Sequence, residues 1–287
     1  MRILVLGVSG MLGHILFRVF NEDPRLEVWG TLRQASGLVH FTDAERRRLL
    51  DFVDVLDQDA LLAALGVARP EIVVNCVGLI KQLAAAGDPL RVIPINAMLP
   101  HRLARICAIT GMRLIHISTD CVFSGGQGHY SESDPSDAQD LYGRSKHMGE
   151  VVDEPHVVTL RTSIIGHELA SRNGLVEWFL SQTGSVKGYA KVVFSGLPTA
   201  ELARVIRDLV LPRPNMRGLY HLSSAAITKY DLLKLIAKVY RRDTEILRDE
   251  HLVLDRSLNS ERFTRETGYV ASAWPELIRD MQRGRQN

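Results

Sequence analysis

Short runs of apolar residues alternate along this chain with stretches in which apolar positions recur at the period of an amphipathic helix. Ile3-Leu4-Val5-Leu6 opens the series, and Ile15, Leu16, Val19 and Phe20 mark the helical face that follows. The same reading predicts strands over 26–32, 52–55, 71–78, from Leu114 onward, and over 156–161, with helices over 58–65 and 90–110. Strands alternating with helices imply an α/β fold built on a doubly wound parallel sheet, a Rossmann architecture. Past Thr162 the rhythm changes: helices are expected over 175–182, 200–211 and 229–240 and a strand over 219–222, with an irregular segment at 184–198 and an ill-defined tail. This gives a dinucleotide-binding domain of residues 1–163, to which the chain returns around 200–224. A smaller substrate-binding region takes 164–199 and 225–287.

Three segments carry candidate chemistry. Gly7-Val8-Ser9-Gly10-Met11-Leu12-Gly13 sits between the first strand and the first helix, with glycines spaced G-x-x-G-x-x-G. One glycine suits a tight turn, one lets backbone approach a diphosphate, and one packs helix on strand, with the diphosphate at the positive helix N-terminus. Ser118-Thr119-Asp120 brings hydroxyls and a carboxylate to the C-terminal end of a buried strand, where open parallel sheets bind ligands. In Leu141-Tyr142-Gly143-Arg144-Ser145-Lys146, a tyrosine and a lysine four apart share a helix face, so the ammonium can lower the phenol's pKa. That pairing makes a proton donor.

Taken in order, the glycine turn, Ser118-Thr119-Asp120-Cys121-Val122-Phe123-Ser124-Gly125 and Tyr142-x-x-x-Lys146 resemble an extended short-chain dehydrogenase/reductase. With Gly149-Glu150 following, the chain is similar to the dTDP-4-dehydrorhamnose reductase family of nucleotide-sugar 4-ketoreductases. Cys121 stands where that family has an aromatic residue and Ser124 where it has Asp. The resemblance implies Thr119, Tyr142 and Lys146 as catalytic residues, and substrate contacts from Thr119, Asp120, Val122, Phe123 and Tyr142. For the cofactor it implies Gly7, Ser9, Gly10, Met11, Leu12, Gly13, Arg33, Asp54, Val55, Cys76, Val77, Gly78, Asn96, Tyr142, Lys146 and Thr162. Asp54 matches an adenine-contacting acid and Asn96 an asparagine that supports the site from behind. Phe194-Ser195-Gly196-Leu197-Pro198-Thr199 and Arg256-Ser257-Leu258-Asn259-Ser260 resemble two elements of the family's substrate domain.

The second strand ends Thr31-Leu32-Arg33-Gln34 without a carboxylate, which favours NADPH over NADH; NADH stays open. The implied reaction is reduction of the 4-keto group of a nucleotide-linked 4-keto-6-deoxyhexose, toward deoxysugars for polysaccharide. Two alternatives stand beside it. One is a nucleotide-sugar epimerase of the same fold. The other is a non-catalytic NADP-binding regulatory subunit resembling the β subunit of methionine adenosyltransferase.

Composition narrows the setting. The 287 residues are 46% hydrophobic and 24% charged with a net charge of +2, an ordinary soluble composition with no polybasic tail for nucleic acid or a membrane surface. With the first strand at Arg2 and no spanning apolar run, neither a signal peptide nor a membrane segment is expected, and the default location is cytoplasmic. Cys76, Cys107 and Cys121 form neither a disulfide framework nor a metal site. The charged run Glu45-Arg46-Arg47-Arg48 reads as a solvated helix face, with help at the cofactor's adenosine end as the minor reading. A homodimer is implied by the resemblance alone.

Overall fold

Apolar runs with no polar face must be covered on both sides, and that requirement sets the central sheet. In the computed structural model, which describes residues 1–81 and 84–284, the chain runs β1 (Arg2–Leu6), α1 (Gly13–Asn21), β2 (Glu27–Thr31), α2 (Asp43–Arg46), β3 (Leu49–Leu50), α3 (Gln58–Ala68) and β4 (Ile72–Asn75). It continues with α4 (Pro89–Val92), a π-helical turn (Ile93–Met98), α5 (Leu99–Thr110), β5 (Arg113–Thr119), α6 (Leu141–Met148), β6 (Val157–Thr162), β7 (Ile164–Ile165), α7 (Leu175–Leu180), β8 (Ser185–Phe194) and β9 (Leu197–Pro198). The remainder is α8 (Thr199–Val205), a second π turn (Ile206–Val210), β10 (Gly218–His221), β11 (Ile227–Thr228), α9 (Lys229–Tyr240), β12 (Glu245–Asp255), α10 (Glu261–Thr267) and α11 (Trp274–Arg283). No described helix is long and apolar enough to cross a membrane.

Seven strands form one sheet in the order β10-β6-β5-β4-β1-β2-β3. β1 lies parallel to both β2 and β4, so the strand order reverses between β1 and β4. Crevices at such a reversal are where doubly wound sheets bind ligands. The glycine turn leaves β1 at that end.

The chain folds into two compact units, one of residues 1–118, 139–160 and 203–219, the other of 119–138, 161–202 and 220 onward. In the first, Leu4, Leu6, Val73 and Leu114 from strands meet Leu61 and Leu65 of α3 and Leu99, Leu103 and Cys107 of α5. In the second, Val186 and Phe194 of β8 meet Val176 and Phe179 of α7, Leu232 and Ile236 of α9, and Trp274, Leu277, Ile278 and Met281 of α11.

Several elements differ from the sequence expectation. The third strand falls at Leu49–Leu50, paired with Gly30 and Thr31, rather than at 52–55. Phe52 takes a left-handed φ of 57° and lies exposed, which ends any strand there. The segment expected to be irregular holds β8, whose inward positions are Val186, Gly188, Ala190, Val192 and Phe194. Gly188 and Ala190 thin out the apolar alternation, and Gly188 is required because a Cβ there would lie 2.6 Å from Ile246 Cγ2. The tail is ordered as well. β12 runs parallel to β8 but exposes most of its side chains and so shows no period, while α11 buries an i, i+3, i+4, i+7 stripe from Trp274. The helix expected over 90–110 contains the π turn, where Pro94 has no N–H to donate.

The charged run is a surface feature. Thr42 and Glu45 form a capping box, Glu45 accepts from Arg18 at 3.0 Å, and Arg48 pairs with Glu27 at 2.8 Å while lying over Trp29.

α6 is pressed onto the π turn so closely that a Cβ on Gly149 would come 2.0 Å from the Asn96 carbonyl oxygen, backbone that has no room to retreat. Gly149→Ala is therefore expected to destabilise the fold by about 1–3 kcal/mol, read as a lower urea midpoint; an unchanged midpoint would contradict this packing.

Candidate active site

In the first unit the glycine turn is built around backbone contacts that side chains would block. Gly7 has φ +83°, and a Cβ there would sit 2.9 Å from Val77 Cγ2. A Cβ on Gly13 would fall 2.2 Å from the Gly7 carbonyl oxygen, whereas one on Gly10 meets only that oxygen at 3.4 Å. Gly10 and Ser9 are exposed, Met11 is half-buried and Leu12 is buried. α1 begins with no side-chain cap and no acidic residue in its first turn, so no side chain there competes with an anion for its positive dipole end. Thr31, at the end of β2, supports the turn: its hydroxyl accepts from Gly7 N at 3.2 Å and its carbonyl from Val8 N at 3.0 Å. This is a cradle that fits a dinucleotide diphosphate.

Other expected cofactor residues gather around the same sheet end. Asn75 is fully buried, receives Val77 N on Oδ1 at 3.1 Å, and places its amide nitrogen 3.2 Å from His116 Nδ1. Cys76 N donates to Leu6 O, and burial pushes its thiol up to about 12. A Cβ on Gly78 would meet Asn96 Oδ1 at an ordinary 3.5 Å. Asn96, on the π turn, exchanges bonds with Leu79 N and O at 2.9 and 3.0 Å and donates to Ser145 Oγ at 3.3 Å. It ties the loop after β4 to α6. Arg33 is exposed two residues past β2. Asp54 is exposed, and its carboxylate accepts Leu56 N at 2.9 Å, ordering the turn into α3, with Val55 half-buried beside it.

α6 carries the tyrosine and lysine. Asp140 caps its N-terminus by accepting Gly143 N at 2.8 Å and pairs with Lys81 at 2.7 Å. The Lys81 ammonium lies 5.6 Å from the centre of the half-buried Tyr142 ring. Lys146 is buried and donates to the Ile117 carbonyl at 2.7 Å. Burial lowers its pKa to about 8, opposed by the charge of Glu150. Glu150 was legible only as part of a motif, although Tyr142, Lys146 and Glu150 recur at i, i+4 and i+8. Lys81 and Asp140 carry no such signal, because they lie 59 positions apart, with α4, α5 and β5 between them.

In the second unit, Thr119 is buried at the end of β5, with its oxygen accepting Cys121 N at 3.1 Å and its hydroxyl donating to Asp120 at 3.1 Å. Burial raises the pKa of Asp120, opposed by that hydrogen bond and by the charges of Arg256 and Lys229. Lys229 in turn has its pKa lowered by burial. Arg256 donates to Phe123 O at 2.7 Å and lies 3.7 Å from Cys121 Sγ. Val122 and Phe123, expected to touch substrate, have no exposed surface. They pack with Tyr130 and Leu258, Phe123 stacking on Tyr130 at 4.0 Å, so as side chains they hold the Thr119–Cys121 turn from the core. Thr162, at the end of β6, donates to Ser163 O at 3.2 Å. Ser195 joins the two family-like elements of this unit by accepting Leu258 N at 3.0 Å. Among the described residues no group of three or more His, Cys, Asp or Glu could hold a metal ion.

Residues 1–261 match the RmlD substrate binding domain family. The chain belongs to that family. It is 33% identical over 150 residues to a dTDP-4-dehydrorhamnose reductase of Streptomyces griseus, a match covering 52% of this chain and 43%, less than half, of that protein. It is 25% identical over 314 residues to mouse methionine adenosyltransferase 2 subunit beta, covering 96% of this chain and 88% of that one. Among solved structures, the Bacillus anthracis dTDP-4-dehydrorhamnose reductase in complex with NADP superposes with a TM-score of 0.78 at 20% identity, covering 99% of each chain. For this RmlD-family chain that likeness establishes the Rossmann fold.

The glycines separate in what they do. Gly13→Ala is expected to lower the thermal midpoint by several degrees, because its Cβ would strike backbone, while Gly10→Ala leaves the midpoint unchanged; equal effects in a melting experiment would contradict the geometry of the turn.

Proposed function

We propose that this RmlD-family protein is an NADPH-dependent reductase of the 4-keto group of a nucleotide-linked 4-keto-6-deoxyhexose. The observation that carries the reading is the buried Lys146, held to β5 on the same helix face as Tyr142 and within the unit that contains the glycine cradle. NADPH supplies the hydride when bound. Tyr142 delivers the proton to the sugar oxygen as general acid, a contribution of about 10²–10⁴ in rate. Lys146 favours the ionised phenol electrostatically and donates to the ribose hydroxyls of the nicotinamide half. Thr119 donates to the carbonyl oxygen, a bond that strengthens as negative charge develops there. Gly7, Ser9, Gly10, Met11, Leu12 and Gly13 hold the diphosphate, and Arg33 takes the 2′-phosphate that no carboxylate at the end of β2 repels. The enzyme works in the cytoplasm, as a homodimer, on a diffusible nucleotide sugar.

The near full-length likeness to the methionine adenosyltransferase subunit supports a second reading, a non-catalytic NADP-binding regulatory subunit. Turnover separates the two. Purified protein mixed with NADPH and dTDP- or UDP-4-keto-6-deoxyhexoses is expected to oxidise one NADPH per sugar reduced. Tyr142→Phe should lower kcat by about 10²–10⁴, and full activity in that variant would overturn the mechanism. No turnover on any such sugar, together with co-elution with a methionine adenosyltransferase catalytic subunit, would favour the second reading.

Cofactor choice is tested at Arg33. Arg33→Asp is expected to reduce the kcat/KM preference for NADPH over NADH by about tenfold or more, measured by initial rates with each cofactor; an unchanged ratio would remove Arg33 from 2′-phosphate recognition.

A further inference from the structure

Lys146 is a buried cation, and hydrogen bonding to one carbonyl does not supply a counter-charge. Its surroundings in the first unit come from three elements. Just past β4 comes Cys76, whose thiol burial pushes up to about 12 and which is neutral at physiological pH. β5 presents His116, fully buried, whose pKa burial and the Lys146 charge lower well below the ordinary value, opposed by the charge of Glu150 and aided by that of His101; that ring stays neutral. α6 itself carries Tyr142 one turn before Lys146, and Glu150 follows one turn after it. Among the described groups that act on Lys146, Glu150 brings the negative charge.

Glu150 is fixed rather than merely near. Its side chain is 3% exposed, with Oε1 accepting the Ser118 hydroxyl at 2.7 Å and Oε2 lying 3.0 Å from Nδ1 of the half-exposed His147. Ser118 follows Ile117, the residue whose carbonyl receives Lys146 at 2.7 Å. Two consecutive residues of β5 therefore receive the lysine by one's carbonyl and hold the acid by the other's hydroxyl.

We propose that Glu150 is a positioning residue for the Tyr142–Lys146 pair: its carboxylate, held between Ser118 and His147, is the fixed counter-charge that keeps Lys146 an ammonium inside the protein. The role in catalysis rests on the reductase reading above, but the charge state of Lys146 does not. Removing the negative charge deepens the depression that burial already imposes, so Lys146 gives up its proton at lower pH. The alkaline limb of kcat/KM, where loss of the ammonium ends activity, then moves toward neutrality.

The test measures Lys146 directly and in turnover. In protein labelled with ¹³C at the lysine Cε, the Lys146 resonance, assigned by its loss in Lys146→Arg, is titrated in the wild type, Glu150→Gln and Ser118→Ala. The expected result is a midpoint lower by about one pH unit or more in Glu150→Gln, and a smaller shift in Ser118→Ala, which keeps the charge and loses one anchor. The alkaline limb of kcat/KM should move by the same amount in Glu150→Gln, with Glu150→Asp restoring most of it. A Lys146 midpoint unmoved in a folded Glu150→Gln protein, or activity lost evenly across pH with no displaced limb, would overturn the proposal. If the wild type turns over no keto sugar, the NMR midpoints still decide the counter-charge while the reductase reading fails separately.

Discussion

A lysine ammonium taken out of water costs several kcal/mol unless its surroundings replace the lost solvation. Lys146 is such a group, and much of the first unit is arranged around it. The Ile117 carbonyl receives it, Cys76 and His116 beside it are held neutral, and α6 is fixed by the Asp140 cap at one end and by the close approach of Gly149 to the π turn at the other. Asn96 completes the clamp by bonding both the loop after β4 and Ser145 on α6. Each of these contacts limits how far Lys146 and its helical neighbour Tyr142 can move. The proton donor and tuner proposed for this pair need such fixed geometry, because misplacement by an ångström is costly in rate.

A second constraint is steric and lies at the end of β1. Gly7 and Gly13 lack side chains because Val77 and the Gly7 carbonyl occupy the space, so the turn is a product of packing between β1, α1 and the segment after β4. Gly10 differs in that a Cβ there would meet only the Gly7 carbonyl oxygen, at 3.4 Å. The three glycines thus divide between holding the turn and leaving it accessible, and the uncapped start of α1 adds the electrostatic attraction an anion requires.

The doubly wound sheet was legible because strands covered on both faces read as unbroken apolar runs, and the helices between them kept a clear period. What was hidden had specific causes. β8 disguised its alternation with Gly188 and Ala190, β12 exposes most of its residues, and Leu49–Leu50 is too short to stand out after a run of arginines. Within the candidate site, the tyrosine, lysine and glycines were readable from spacing. Val122 and Phe123 sit inside a motif that implies ligand contact, yet the fold keeps their side chains for the core that supports Thr119. The Lys81–Asp140 pair and the Ser118–Glu150 bond join residues distant in sequence, and no local pattern announces them.

The proposed role of Tyr142 and Lys146 is to serve a hydride transfer to a sugar carbonyl. Its most direct test uses NADPH carrying deuterium at the transferable position of the nicotinamide ring, incubated with a 4-keto-6-deoxyhexose nucleotide and followed by NMR of the product. One deuterium at C4 of the sugar is expected for each cofactor oxidised. A product formed without deuterium and without net cofactor oxidation, or a keto sugar left unchanged, would contradict it.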